Sequence, residues 1–305
     1  MPRPVLAIGG ATVDRTYLCA NEPSPGTSNP VTSRRNFGGV ARNVADSLAR
    51  LGASIGLISA VGADDAGRAL SAGLTACGVD VRGLLTVTDQ PTAEYTAAFW
   101  RGELFAGFAD MTIFEALTPQ AVTGRLPENL GEWLVFADCN LPQATLTMLT
   151  ARAQNDGFRL ALDAVSLAKS ERLPASLSGV AVVFLNQDQA RHLGGLDALL
   201  ARGARAVVLT QGKDGVTIAE GARRTHLPPP AVVVVSVSGA GDAMISGALL
   251  ALSQDRPLTQ AVRYGLAAAS LALQTLATVP ADLSRARLEA ALAQLPASPG
   301  PYHAE

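Results

Sequence analysis

The sequence predicts a three-layer α/β sandwich with a mostly parallel central sheet. Strand-like and helix-like segments alternate along most of the chain, and the strand candidates are continuous apolar runs, as expected of strands covered on both faces. With 305 residues and 48% hydrophobic content, the chain can bury a large core. One large domain or two small ones fit that size, and the order of elements favours a single domain over residues 1–305.

The strand candidates, in order, are VLAIGG (5–10), SIGLISAVG (54–62), EWLVFADCN (132–140), FRLALDA (158–164), VAVVFLN (180–186), RAVVLTQG (205–212) and AVVVVSV (231–237). Helix-like segments lie between many of them: ARNVADSLARLG, AGRALSAGLTACG, PQATLTMLTARAQNDG and LDALLARGA. Residues 14–36 and 90–110 break the rhythm, being polar or alternating, and the second reads as a hairpin turning near Arg101-Gly102. Together they predict a small separate sheet standing off the main body as a lid; two ordinary surface excursions are the alternative.

Composition narrows the function classes. A net charge of −2 supplies no basic field, so nucleic acid is not expected and a small-molecule ligand is. Cys19, Cys77 and Cys139 are far apart, and no histidine stands at metal-ligand spacing, so no protein-held metal is predicted and a reduced, cytoplasmic setting is. The N-terminal apolar core is too short for a signal peptide, and the apolar stretches near 243–252 and 265–277 fall short of the roughly 18 residues of a membrane span, so no membrane partner is expected.

The chemistry concentrates at SGAGDAMISGAL, residues 238–249, where a turn of small residues opens a helix. Gly239, Ala240 and Gly241 allow close backbone approach, and the free N–H groups of a first helical turn, at the positive end of the helix dipole, suit an anion or a phosphoryl group in flight. Asp242 beside them is a candidate general base toward an attacking alcohol, its alternative being a helix-terminal carboxylate favoured by the dipole. Upstream, Gly39 and Asn43 in NFGGVARNVADSLARLG, and Asp14 after the first strand, can meet sugar hydroxyls; a loop with a buried cap is the bland reading. Thr210, Gly212 and Gly215 form a strand end and turn able to meet a nucleotide, although a tight hairpin on Lys213-Asp214-Gly215 fits equally well. A Walker-type GxxxxGK[ST] loop is absent.

The GGVARN region (38–43), the T-x-G-x-x-G stretch (210–215) and SGAGDAMISGAL, in that order, resemble the ribokinase-like (PfkB-type) sugar kinases from end to end. Within the family, SNP (28–30), LISAVGADDAG (57–67), ADMTIFEALTP (109–119), ADCNLP (137–142) and DAVSLAK (163–169) resemble the members that act on pseudouridine. The resemblance implies a ribokinase-like fold and transfer from ATP, with Mg²⁺, to the 5′-hydroxyl of that nucleoside. It implies that Asp242 is the base, that 239–241 form the anion hole, that Asp14, Gly39 and Asn43 hold the ribose, and that Thr210, Gly212 and Gly215 bind nucleotide. Asn140 and Asp163 fall at strand ends lining the cleft, Asn186 falls on the nucleotide side, and Ser28, Asn29, Thr96 and Asp110 are candidates to contact the base by location on the lid segments.

Two positions depart from the family pattern. Where N-x-x-E is common, this chain reads Asn186-Gln187-Asp188-Gln189, which weakens metal dependence; where Asp-Thr is usual, Ser236-Val237 puts a monovalent-cation site such as one for K⁺ in doubt. Another nucleoside, or a free sugar such as ribose or fructose, is the rival substrate class, and a non-catalytic nucleoside-binding regulator is the rival from another class. An exposed lid edge would invite pairing between two subunits, a homodimer clasped through the lid.

Overall fold

A computed structural model describes residues 1–296. Eight strands form the main sheet in the order β14-β13-β12-β11-β10-β9-β1-β4. They are β1 (Val5–Ile8), β4 (Ile55–Ile58), β9 (Leu134–Asp138), β10 (Arg159–Asp163), β11 (Val180–Asn186), β12 (Val207–Thr210), β13 (Val216–Glu220) and β14 (Arg223–Leu227). From β4 to β12 neighbouring strands run parallel, and β13 and β14 return antiparallel at one edge.

The continuous apolar runs are explained by burial on both faces. Val5 and Ala7 of β1 point into the same core cluster as Ala41, Val44 and Leu48 of α1 (Val40–Arg50) and the apolar residues of α8 (Ala240–Ser253) and α9 (Leu258–Ala272). Leu6 and Ile8, the alternate residues, point into the cluster that holds Leu146 and Leu149 of α4 (Gln143–Asp156). That period of two, satisfied on both sides, is the three-layer sandwich. The remaining helices, α2 (Asp65–Ala76), α3 (Pro119–Thr123), α5 (Leu167–Ser170), α6 (Gln187–His192), α7 (Leu196–Ala201) and α10 (Arg285–Gln294), occupy the connections and the end of the described chain. Among the described residues no helix is long and apolar enough to cross a membrane.

The lid is a separate four-stranded sheet in the order β3-β2-β7-β8, built from β2 (Thr12–Cys19), β3 (Val31–Gly38), β7 (Glu94–Trp100) and β8 (Glu103–Asp110). Its β7–β8 hairpin turns at Arg101 (φ 51°) and Gly102 (φ 86°), two positive-φ residues of the kind that match strand twist. A two-stranded pair joins β5 (Ala60–Gly62) to β6 (Leu85–Val87). The run SIGLISAVG is therefore two strands in two sheets, broken at buried Ser59, whose hydroxyl donates to the Gly9 carbonyl at 2.6 Å.

The valine run 231–237 is not a strand. It follows Pro228–Pro230, and its backbone bonds among the described residues are those from Val235 N–H and Ser236 N–H to the Leu273 carbonyl, at 2.7 and 3.2 Å, and one from Ala240 N–H to the Val237 carbonyl at 3.3 Å, none of them a strand ladder. Strand-forming side chains cannot substitute for a ladder partner, and Val233 and Val237 are left 83% and 77% exposed. The edge of the sheet is instead closed by β13 and β14, and the chain 211–215 is the tight hairpin that links β12 to β13.

Candidate active site

The C-terminal ends of the parallel strands and the root of the lid surround a single crevice, the place where open parallel sheets receive ligands. Its floor is organised by a residue that the sequence reading passed over. Asp138, at the end of β9 and wholly inaccessible, accepts from the N–H groups of Gly10 (3.0 Å), Ala41 (2.9 Å) and Asn140 (2.9 Å). It thus pins the end of β1, the start of α1 and the end of β9 together. Burial pushes its pKa up while the three N–H bonds pull down.

That carboxylate replaces a local cap. Gly39 precedes α1 with φ 90° and no side-chain cap, and a Cβ there would stand 2.4 Å from the Gly10 carbonyl oxygen. Only glycine fits both the dihedral and the approach. The same turn sets Asn43, 3% exposed, whose Nδ2 donates to Asp242 Oδ2 at 2.7 Å, while Arg42 Nη1 donates to Asn43 Oδ1 at 2.7 Å and fixes the amide's orientation. Arg42 is itself held by Asp46 at 2.6 Å, and burial lowers its pKa.

Asp242 lies in the first turn of α8. Gly239 enters that turn in the left-handed region (φ 76°), where a Cβ would meet the Thr278 carbonyl oxygen at 2.3 Å. Around Gly241 nothing lies within 4 Å of where a Cβ would be, so its smallness answers no need of the fold and leaves room beside the helix end. Among the described residues the N–H groups of Gly241 and Asp242 find no protein acceptor. Burial raises the Asp242 carboxyl to about 7, and the charges of Asp138 and Asp14 push the same way against the Asn43 hydrogen bond.

Nucleotide-side candidates gather on the other half of the crevice. Asp163, Asn186, Thr210, Gly241 and Asp242 line one cavity of about 120 Å³, together with Val165 and Gln189. Asp163 is buried and its carboxyl is raised well above the usual range, first by burial and then by the Asp242 and Asp138 charges. Gly212 and Gly215 lie outside that lining, in the β12–β13 hairpin turn with φ of 57° and 87°.

On the acceptor side, Asp14 of β2 accepts from Thr12 Oγ1 at 2.9 Å and packs where a Cβ on Gly38 would collide with it. Its pKa is raised by burial. Asn140 lies over Gly10, where an added Cβ would be 2.5 Å from Nδ2. The other lid candidates are not brought to Asp14. Strand register pairs Arg15 with Thr96 and Glu94 with Asp110, and Arg15 and Thr96 both bond to Glu94, so Thr96 and Asp110 occupy the face opposite Asp14. The residues directly opposite Asp14 on its own face are Tyr95 and Asn36, which pattern alone had not singled out. Asn29, in the loop between β2 and β3, uses its side chain locally, accepting from Ser24 N–H at 2.8 Å and donating to the Ser24 carbonyl at 3.0 Å. Ser28 is exposed in the same loop.

The residues present do not form a protein-held divalent site: among those described, no group of three or more acidic, histidine or cysteine side chains could hold a metal. Gln189 is committed to a capping box, its Oε1 accepting from Asn186 N–H at 2.8 Å while Asn186 Oδ1 accepts from Gln189 N–H at 3.0 Å. Asp188 faces solvent beside Arg191 at 3.2 Å.

A family model described as pfkB family carbohydrate kinase matches residues 3–283. The pseudouridine kinase of Escherichia coli (strain K12) is 29% identical, over 93% of this chain and 95% of its own. A solved carbohydrate kinase from Agrobacterium tumefaciens superposes with TM-score 0.85 at 33% identity, over 96% of this chain and 98% of that one. A ribokinase from Arabidopsis thaliana complexed with ribose and ATP superposes with TM-score 0.83 at 18% identity, over 96% and 99%, a likeness of fold.

Proposed function

Because the chain belongs to the pfkB family of carbohydrate kinases, phosphotransferases with an alcohol acceptor, we propose that it transfers the γ-phosphoryl of ATP to the 5′-hydroxyl of pseudouridine, giving pseudouridine 5′-phosphate. The observation that carries the chemistry is the half-buried Asp242 carboxylate, oriented by Asn43, beside unpaired N–H groups at the start of α8. The identity to a pseudouridine kinase along nearly the whole chain supports the acceptor.

In this reading Asp14, Gly39 and Asn43 hold the ribose with its 5′-oxygen toward Asp242. Asp242 takes the hydroxyl proton as that oxygen bonds to the γ-phosphorus and the bond to the β–γ bridging oxygen breaks, releasing ADP. The turn 239–242 meets the charge on the transferring group, its free Gly241 and Asp242 N–H groups doing so without reorganising. Asn186, Thr210 and Asp163, with the hairpin glycines 212 and 215, face the nucleotide; Asn140 closes the acceptor side. The base is assigned to the lid face that bears Asp14, through Tyr95 and Asn36. Mg²⁺ would come with the ATP phosphates and neutralise their charge. A monovalent cation such as K⁺ would find backbone carbonyls and the Ser236 hydroxyl in the 231–239 loop, which lacks a carboxylate.

The same reading takes the chain as one kinase domain with an inserted lid, working in the cytoplasm where ATP is made, and as a homodimer joined through the lid. The test of the acceptor is product formation from ATP and Mg²⁺ with pseudouridine, uridine, ribose and fructose side by side, the phosphorylated position being read by NMR. Preference for pseudouridine at its 5′-oxygen is expected; preference for a free sugar overturns the nucleoside assignment.

A further inference from the structure

We propose that Lys169 is a catalytic residue that contacts the transferring phosphoryl group, an inference that rests on the kinase reading above. The chain has only two lysines, and this one is set back in the crevice, half-buried on α5, with its ammonium donating to Asn140 Oδ1.

Its place in the sheet is the first argument. The order β12-β11-β10-β9-β1 puts the nucleotide-side residues Thr210 and Asn186 at the ends of β12 and β11, and the acceptor-side residues Asn140 and Gly10 at or just beyond the ends of β9 and β1. β10 is the strand between those halves, and Lys169 stands on the short helix that directly follows it. A group passing from nucleotide to acceptor must cross in front of β10.

The second argument is the cation's lack of a counter-ion. Arg42 is spent on Asp46, and Arg172 is spent on the carbonyls of Asn140 and Leu141 and on Glu115. Lys169 makes no ion pair among the described residues; its one hydrogen-bond partner is a neutral amide, and two of its three N–H donors have none. Holding a half-buried ammonium against a neutral amide is less favourable than pairing it with an anion, and burial lowers its pKa while the Asp138 charge partly restores it. An arriving anion supplies the missing partner. The side chains lining the cavity of Asp163 and Asp242 include those two carboxyl groups and, among the described residues, no cation, so without Lys169 no positive side chain there would meet a phosphoryl group.

The third argument is the backbone that delivers it. Between β10 and α5, Val165 adopts φ 62°, a left-handed conformation rarely accepted by a β-branched residue. Its N–H donates to Asp163 Oδ2 at 2.8 Å, and Ser166 N–H donates to the Ala164 carbonyl at 2.8 Å, closing a tight turn around it. The Asp163 carboxylate thereby holds the strained turn that sets the start of α5, and strain of this kind persists where the surroundings over-determine a position.

The test compares Lys169→Met, Lys169→Arg and Asn140→Ala with wild type, using the acceptor the wild type turns over best. Lys169→Met is expected to lower kcat by about 100-fold or more and leave acceptor KM within about threefold, the pattern of an interaction made in the transition state. In calorimetry with ADP, acceptor and aluminium fluoride, Lys169→Met should lose at least about tenfold of affinity while ADP alone binds as in wild type. Asn140→Ala, which keeps the cation, should retain that aluminium fluoride enhancement. Lys169→Arg should stay within about tenfold of wild type and is the informative variant if Lys169→Met does not fold. Equal losses in Lys169→Met and Asn140→Ala, or in Lys169→Met and Lys169→Arg, would make Lys169 a buttress and overturn the proposal. A wild type that turns over no acceptor would overturn the kinase reading, and this inference with it.

Discussion

Asp242 and its surroundings are in tension with stability. A carboxyl raised to about 7 in the folded chain favours the protonated form, so its contribution to stability is complete below the unfolded value near 3.8 and is lost as pH rises toward 7 and beyond. Asp242→Asn removes that penalty and keeps an acceptor for Asn43. The variant is expected to melt together with wild type near pH 4 and to be more stable by about 1–3 kcal/mol at pH 8, as measured by denaturant unfolding. As the proposed base, Asp242 must be ionised to act, so kcat/KM should rise with pH along a single-proton limb near 7. The two glycines that precede it separate fold from function. Gly239→Ala, strained at φ 76° and pressed against Thr278, should lower stability by about 1–3 kcal/mol, whereas Gly241→Ala should melt like wild type and lose activity because its methyl enters the space beside the N–H groups.

At the scale of elements, the sequence announced those whose partners are built into their own pattern. Helix α1 and the apolar strands β1, β9, β10 and β11 are legible because each carries its burial in its periodicity, and the β7–β8 hairpin because Arg101-Gly102 must turn. The run 231–237 misleads because β-branched content says nothing about whether a ladder position is vacant; β13 and β14 occupy the edge, and the valines are left in the loop that leads to Gly239. Asn43 and the turn before Asp242 stand out in the sequence through small-residue motifs, whereas the strand-end residues Asn140 and Asp163 are marked by the family resemblance. Asp138 was not legible, since three backbone N–H partners from three elements leave no trace in local spacing, and Thr96 and Asp110 were placed by segment without the register that decides their face. Asp138→Ala should accordingly be among the most damaging changes in the crevice, leaving three buried N–H groups unpaired and costing about 3 kcal/mol or more by thermal unfolding.

Over the whole molecule, the lid is joined to the main sheet at the roots of β2 and β3, close to Asp14 and Gly39, so its position is coupled to the groups assigned to the ribose. Its outer strands β3 and β8 are free edges, and Phe105 and Phe108 of β8 are 53% and 68% exposed. Such an edge is a liability unless covered, and in the proposed homodimer a second copy would cover it symmetrically. Light scattering should give twice 31.3 kDa, and Phe108→Lys should shift the chain toward monomer without altering the melting of the main body. The most direct measurement of the central claim is single-turnover phosphoryl transfer from ATP to pseudouridine by wild type and Asp242→Asn at pH 8, with both substrates saturating. Rapid transfer by wild type is expected, with a loss of about 1,000-fold or more in a variant that still binds both substrates; comparable transfer by the two proteins would remove Asp242 from the base role.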